Sequence, residues 1–360
     1  MKLSNLFITA ILLLAHVSCS AADKFIPAAD SNVLFMGRTV KTPSGAVAFN
    51  YPGVTAMLNF SGPSLEMFTS PGSGYFMVEI DSMPPRKVFF SPSQSSVVLA
   101  DSLADKPHSA RITYAVEGFE FNPQIAGFGL ADSGKLLDAP CRPDLKIEFI
   151  GDSMTCGYGT EADSGSVPFS YDTENHCLGF AHLTARMLDA DYNVVARSGI
   201  GVYRNYRDPA SGSTGAIMPG EYGHTMLYNP EYEWDFSRFV PDVICINLGT
   251  NDVSEDKYDI KLYEKAYSAF LKDVRSKNPG ASIILLTGSM LKGKQLQDVR
   301  NALDRVAENQ PGVYRFDMTP QTGELGYGGD WHPSAAQSRL MANELSAFIR
   351  SVIDPNRNLR

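Results

Sequence analysis

A serine stands directly after an apolar run and at the head of a glycine-rich turn: residues 145–150 read LKIEFI and residues 151–159 read GDSMTCGYG. A serine at the carboxyl end of a strand, with helix N-terminal amides facing it, is open to substrate and close to hydrogen-bond donors. Ser153 is therefore the candidate nucleophile, against the plainer role of a helix cap. Two further blocks carry donors. Residues 196–205 (ARSGIGVYRN) offer the amides of Gly199 or Gly201, and residues 248–252 (LGTND) offer the side-chain amide of Asn251. Such groups suit a developing oxyanion, because they are preorganised and carry no proton to lose, although turns and caps use the same residue types. Near the carboxyl end comes GDWHP (329–333), where His332 is the candidate general base and Asp330 a candidate orienting partner. Asp152 and Asp252 read as caps, and His108, His176, His182 and His224 have no motif around them that would make them ligands.

These residues need elements to hold them. Residues 145–150, 192–196, 242–248, 281–287 and 313–317 are near-continuous apolar runs, the pattern of parallel strands covered on both faces. Apolar positions 263, 266, 267, 270, 271 and 274 recur at helical spacing, as do Leu345, Phe348, Ile349 and Val352. Strands alternating with helices predict a doubly wound α/β domain over 141–355, with its site at the carboxyl ends of the strands. Upstream, 54–60, 75–80, 97–100, 111–116 and 125–130 read as short strands separated by Gly, Pro, Ser and Asp. Ile112, Tyr114 and Val116 alternate with Arg111, Thr113 and Ala115, which predicts one buried face and a jelly-roll β-sandwich over 25–140.

The 360 residues include 31 Lys plus Arg and 40 Asp plus Glu, a net charge of −9. That sign opposes nucleic acid as a partner. Residues 1–22 read as a secretory signal peptide: Lys2, an apolar run over 6–15 too short to span a bilayer, then small residues. The expected product is exported, either free or tethered by lipid at Cys19. Cys141, Cys156, Cys177 and Cys245 form no CxxC pair, so no zinc site is expected. Cys245 reads as a core residue, while Cys156 and Cys177 flank a polar loop that a disulfide could close in an exported protein.

GDSMTCGYG, ARSGIGVYRN, NLGTND and DWHP, in this order and on these elements, resemble the four blocks of the SGNH (GDSL-type) hydrolase superfamily. Residues 174–206 and 234–254 resemble more specifically carbohydrate esterase family 2, in which a β-sandwich precedes the SGNH domain. The resemblance covers almost the whole chain after residue 22 and implies a cofactor-free serine esterase that removes O-acetyl groups from hemicellulose. Acetylxylan and acetylglucomannan are the implied substrates, with a preference for acetyl on the primary hydroxyl of a hexose. It implies Ser153 as nucleophile, His332 as base, and an oxyanion hole from the Ser153 and Gly199 amides and Asn251, with Gly201 the alternative glycine. The superfamily's last block is usually Asp-x-x-His; here Asp330 and His332 are only two apart. Family members with this spacing orient the histidine by a main-chain carbonyl, so Asp330 acts through its carboxylate or its backbone. Trp331 and Tyr203 are the candidate sugar-stacking residues. The rival readings are a lipase or thioesterase of the same superfamily, and a carbohydrate-binding protein with a secondary esterase site.

Overall fold

The computed structural model describes residues 24–255 and 257–353. The expected signal peptide, Cys19 included, lies outside the described residues. Twelve short strands between Lys24 and Leu136 form two six-stranded antiparallel sheets that pack face to face. Along Gly74–Ile80, Phe76, Val78 and Ile80 point into the sandwich core while Tyr75, Met77 and Glu79 face outward. Sequence pattern anticipates the four longest strands and Ser96–Ala100. Leu65–Thr69 and Arg86–Phe90 escape it because charged residues interrupt short runs. One expectation needs correcting. Thr113 and Ala115 are as buried as Ile112 and Tyr114, because the second face of that sheet is covered by the following domain. There the Ala115 carbonyl accepts the His176 amide at 2.7 Å.

The second domain is built on a five-stranded parallel sheet, in the spatial order Ala190–Ala196, Leu145–Gly151, Val243–Asn247, Ser282–Thr287, Val313–Asp317. Alternate side chains serve opposite cores. Ile150, Ile244, Ile246, Ile283 and Leu285 pack under helices Ile260–Lys277 and Gly293–Ala307. Ile147, Phe149, Val243, Cys245 and Leu286 pack under Phe180–Met187 and Ala335–Val352. Both faces being covered explains why these strands read as unbroken apolar runs. Asp259 caps the helix that follows it, accepting from Lys261 and Leu262 at 2.9 and 3.1 Å. The first strand lies between the second and the third, so the order reverses there and opens a crevice at the strands' carboxyl ends.

The two domains share buried polar contacts. Arg38, fully buried, pairs with Glu148 of the first parallel strand at 3.0 Å and donates to the Tyr222 and His224 carbonyls at 2.7 and 2.8 Å. Asn50 exchanges two hydrogen bonds with the backbone of Leu227, and Tyr192 donates to the Gly53 carbonyl at 3.1 Å. Breaking a buried ion pair from one side leaves the other charge desolvated and uncompensated, which costs about 3–5 kcal/mol. Arg38→Ala is expected to lower stability by about that amount in a urea titration; a change under about 1 kcal/mol would show that Glu148 finds another partner.

Candidate active site

The strand Leu145–Gly151 ends where a side chain cannot follow: a Cβ on Gly151 would lie 2.1 Å from the Thr155 hydroxyl. Asp152 then accepts the Met154 amide at 3.2 Å and starts a single turn, Ser153–Cys156, which Gly157 ends at φ +88°. Asp152 is the expected cap, and burial lifts its carboxyl to about 7, helped next by the charge of Asp252. Asp252 is no helix cap. It accepts the amides of Val202, Tyr203 and Arg204 and so ties down the loop after the second strand. Burial raises its carboxyl to about 6.

Ser153 and His332 meet across the crevice, with Oγ 2.8 Å from Nε2. On the far side of the ring, Nδ1 lies 3.1 Å from the Gly329 carbonyl and 3.2 Å from that of Asp330. Carbonyls can only accept, so Nδ1 carries the proton and Nε2 is left with a lone pair for the serine hydroxyl. The Asp330 carboxylate turns away, accepting the Tyr158 hydroxyl at 2.7 Å and the Phe169 amide at 3.0 Å. Of the two roles open to Asp330, the geometry matches the backbone one. It follows from local conformation: Asp330 and Trp331 have φ of +47° and +61°, and this left-handed turn points the carbonyls inward. Tyr158 also stacks on the imidazole, ring centres 4.0 Å apart. Burial pulls the imidazole down to about 4, so at neutral pH it is an uncharged base.

Gly199, at φ +81°, borders the same cleft of about 760 Å³ together with Ser153, Asn251, His332, Trp331 and Tyr206. Gly201 does not fit the donor role, because its amide is taken by Asn205 at 3.2 Å. Asn251 is held by one amide hydrogen on the Ile200 carbonyl at 2.8 Å; its other contact, to Asp152, is a long 3.5 Å. Trp331 stands at the rim, 59% exposed.

Tyr203 is a correction. It is only 7% exposed and packs in the core beneath the loop, its hydroxyl accepting the Asp259 amide at 3.0 Å. Asp252 grips the backbone of 202–204 and so turns that ring inward. The aromatic that this loop exposes to the cleft is Tyr206, three residues on and 51% exposed. No periodicity marks it; the hydrogen bond from its amide to the Gly199 carbonyl, at 2.8 Å, folds it back toward the cleft. Tyr158 is likewise visible only in three dimensions. The four cysteines among the described residues are free, so the bridge between Cys156 and Cys177 is not formed.

Two family models match the chain: the carbohydrate esterase 2 N-terminal domain over residues 35–140 and the GDSL-like lipase/acylhydrolase family over 149–340. The chain belongs to carbohydrate esterase family 2. Its relatives include a cellulase/esterase of Acetivibrio thermocellus, 36% identical over 92% of this chain but only 41% of that protein's length. An acetylxylan esterase/glucomannan deacetylase of Cellvibrio japonicus is 29% identical and covered over 93% of its length. A family two esterase from Clostridium thermocellum, solved in complex with cellohexaose, superposes with a TM-score of 0.82 at 35% identity, covering 89% of this chain and 98% of that one. A Cellvibrio japonicus member superposes at 0.84 and 27% identity, over 91% and 97% of the two chains.

Two outcomes are expected. Asp330→Asn keeps both main-chain carbonyls on Nδ1 and should lower kcat by about tenfold or less; a loss near 10⁴-fold, the size seen where a carboxylate orients the histidine of a serine protease, would assign the role to the side chain. In the pH profile of kcat/KM for an aryl acetate, protonation of His332 removes the base. Because burial depresses that step, the acid limb should lie at about 4 rather than at the 6.5 of an ordinary histidine, with circular dichroism confirming the fold at each pH. A limb between 6 and 7 would contradict it.

Proposed function

We propose that this chain is an exported serine esterase that removes O-acetyl groups from hemicellulose polysaccharides and oligosaccharides through an acetyl-enzyme. The observation that carries the reading is the 2.8 Å pairing of Ser153 with a neutral His332 in an open cleft whose rim presents the exposed rings of Trp331 and Tyr206. Relatives named as acetylxylan esterase/glucomannan deacetylase give the substrate class.

Ser153 Oγ attacks the acetyl carbonyl while its proton passes to His332 Nε2. The amides of Ser153 and Gly199 and the side chain of Asn251 hold the resulting oxyanion. Collapse breaks the bond to the sugar oxygen, which leaves with the proton from Nε2. Water then attacks the acetyl-serine by the same route and releases acetate. The Nδ1 proton stays on its two carbonyls throughout, so the ring gains charge without turning. A primary acetyl ester at position 6 of a hexose stands off the ring. It reaches Ser153 while the sugar face rests on Trp331 or Tyr206.

The test is acetate release from acetylated glucomannan and xylan, with an aryl acetate in parallel. Wild type should release acetate from all three, and Ser153→Ala should abolish each activity. Trp331→Ala should lose about fivefold on the polysaccharides, the worth of one stacking contact of about 1 kcal/mol, and little on the aryl acetate. Turnover of long acyl esters in preference to acetate would favour a lipase or thioesterase instead. Equal losses on all substrates would remove Trp331 from sugar binding.

A further inference from the structure

Behind the Gly199 amide lies a cluster that the reaction itself does not use. Glu117 belongs to the sandwich and follows its strand Pro107–Tyr114, yet its carboxylate reaches across the domain boundary. Oε1 accepts the Ser198 amide at 2.7 Å and the Arg197 guanidinium at 3.3 Å, and Oε2 accepts the Ser198 hydroxyl. Arg197 lies 4.2 Å over the ring of Phe119, another sandwich residue, and its Nη1 also donates to the Ser198 carbonyl at 2.5 Å. The Ile200 amide returns to the Arg197 carbonyl at 3.2 Å, closing a turn with Gly199 in the third position, where a positive φ is required.

The Ser198 carbonyl and the Gly199 N–H belong to one planar trans peptide and point in opposite directions. Arg197 holds that carbonyl at the back of the turn, so the Gly199 N–H must face forward into the cleft. We propose that Glu117 and Arg197 are positioning residues that set the direction of this oxyanion donor, so that the sandwich supplies half of the support for the hole. The proposal rests on the esterase reading above, and on Gly199 as a donor in it. Glu174, whose Oε2 accepts the Glu117 amide at 3.2 Å, closes the pocket from the other side. Burial and then the charge of Glu117 hold its carboxyl well above the usual range, while Glu117 itself faces Arg197 at 3.3 Å.

The test is steady-state hydrolysis of 4-nitrophenyl acetate by the full chain carrying Glu117→Ala, Glu117→Gln or Arg197→Ala, with melting temperatures beside the kinetics. A donor aimed at the transition state is worth about 10²–10³ in kcat, so losing its direction should cost Glu117→Ala and Arg197→Ala about 100-fold with KM within about twofold. Glu117→Gln keeps an acceptor for the Ser198 amide and should recover to within about tenfold of wild type. Glu117→Gln combined with Arg197→Ala should be no slower than Arg197→Ala alone, because both act through one peptide. If Glu117→Ala does not fold, the other two variants and their combination decide. Folded variants with wild-type kcat, or losses confined to KM, overturn the proposal. A wild-type chain that releases no acetate overturns the esterase reading instead.

Discussion

One hydrogen bond organises this molecule: Ser153 to His332, 2.8 Å long between residues 179 positions apart. Neither partner can be held by its neighbours in sequence alone. Ser153 is fixed by the end of the first parallel strand, where strand order reverses and a crevice must open. His332 is fixed by a turn with two successive non-glycine residues in left-handed conformation, each costing on the order of 1 kcal/mol or more. Residues 159–167 offset that strain with backbone hydrogen bonds: Gly159 O to Gly329 N, Val167 O to Asp330 N and Gly165 O to Trp331 N, at 2.9 to 3.1 Å. Glycine at 165 leaves room for this turn, since a Cβ there would lie 2.6 Å from the indole of Trp331 and the ring would have to shift.

Using carbonyls rather than a carboxylate on Nδ1 changes the electrostatics of the site. A carboxylate beside the ring would stabilise imidazolium before substrate arrives; two neutral carbonyls orient the ring with less pull on its proton. Burial then dominates and keeps the base uncharged at rest. The Asp330 charge is spent one layer out, where it holds Tyr158 against the imidazole and the Phe169 amide in place. A residue two positions from the histidine thus acts on it twice, through its carbonyl and through an aromatic partner.

Features set by burial on both faces or by strand ends were legible in the sequence. The five parallel strands announced themselves as apolar runs because both faces are covered, and Ser153, Asn251 and His332 because each stands just past a strand or before a helix. Features set by contact across the domain boundary were not. Thr113 looked like the solvent face of a strand and is buried against the second domain. Tyr203 looked like a rim residue, but the Asp252 carboxylate, 49 residues away, turned its loop inward and left Tyr206 outside. Pattern carries period and local chemistry. It does not carry which of two tyrosines in one loop a distant carboxylate selects.

The same limit explains why an intact SGNH domain is an incomplete description of the site. In the proposed esterase reading its blocks supply a nucleophile, a base and donors, but the turn that carries Gly199 is gripped from behind by Glu117 and stacked on Phe119, both outside those blocks. The first parallel strand, which leads into Ser153, is itself charge-paired through Glu148 to Arg38 of the sandwich. A preorganised hole must not relax when charge develops in it, and a loop with one face to solvent would relax. Packing a second domain against that face removes the freedom. On the reading proposed above, the sandwich is therefore coupled to catalysis by rigidity.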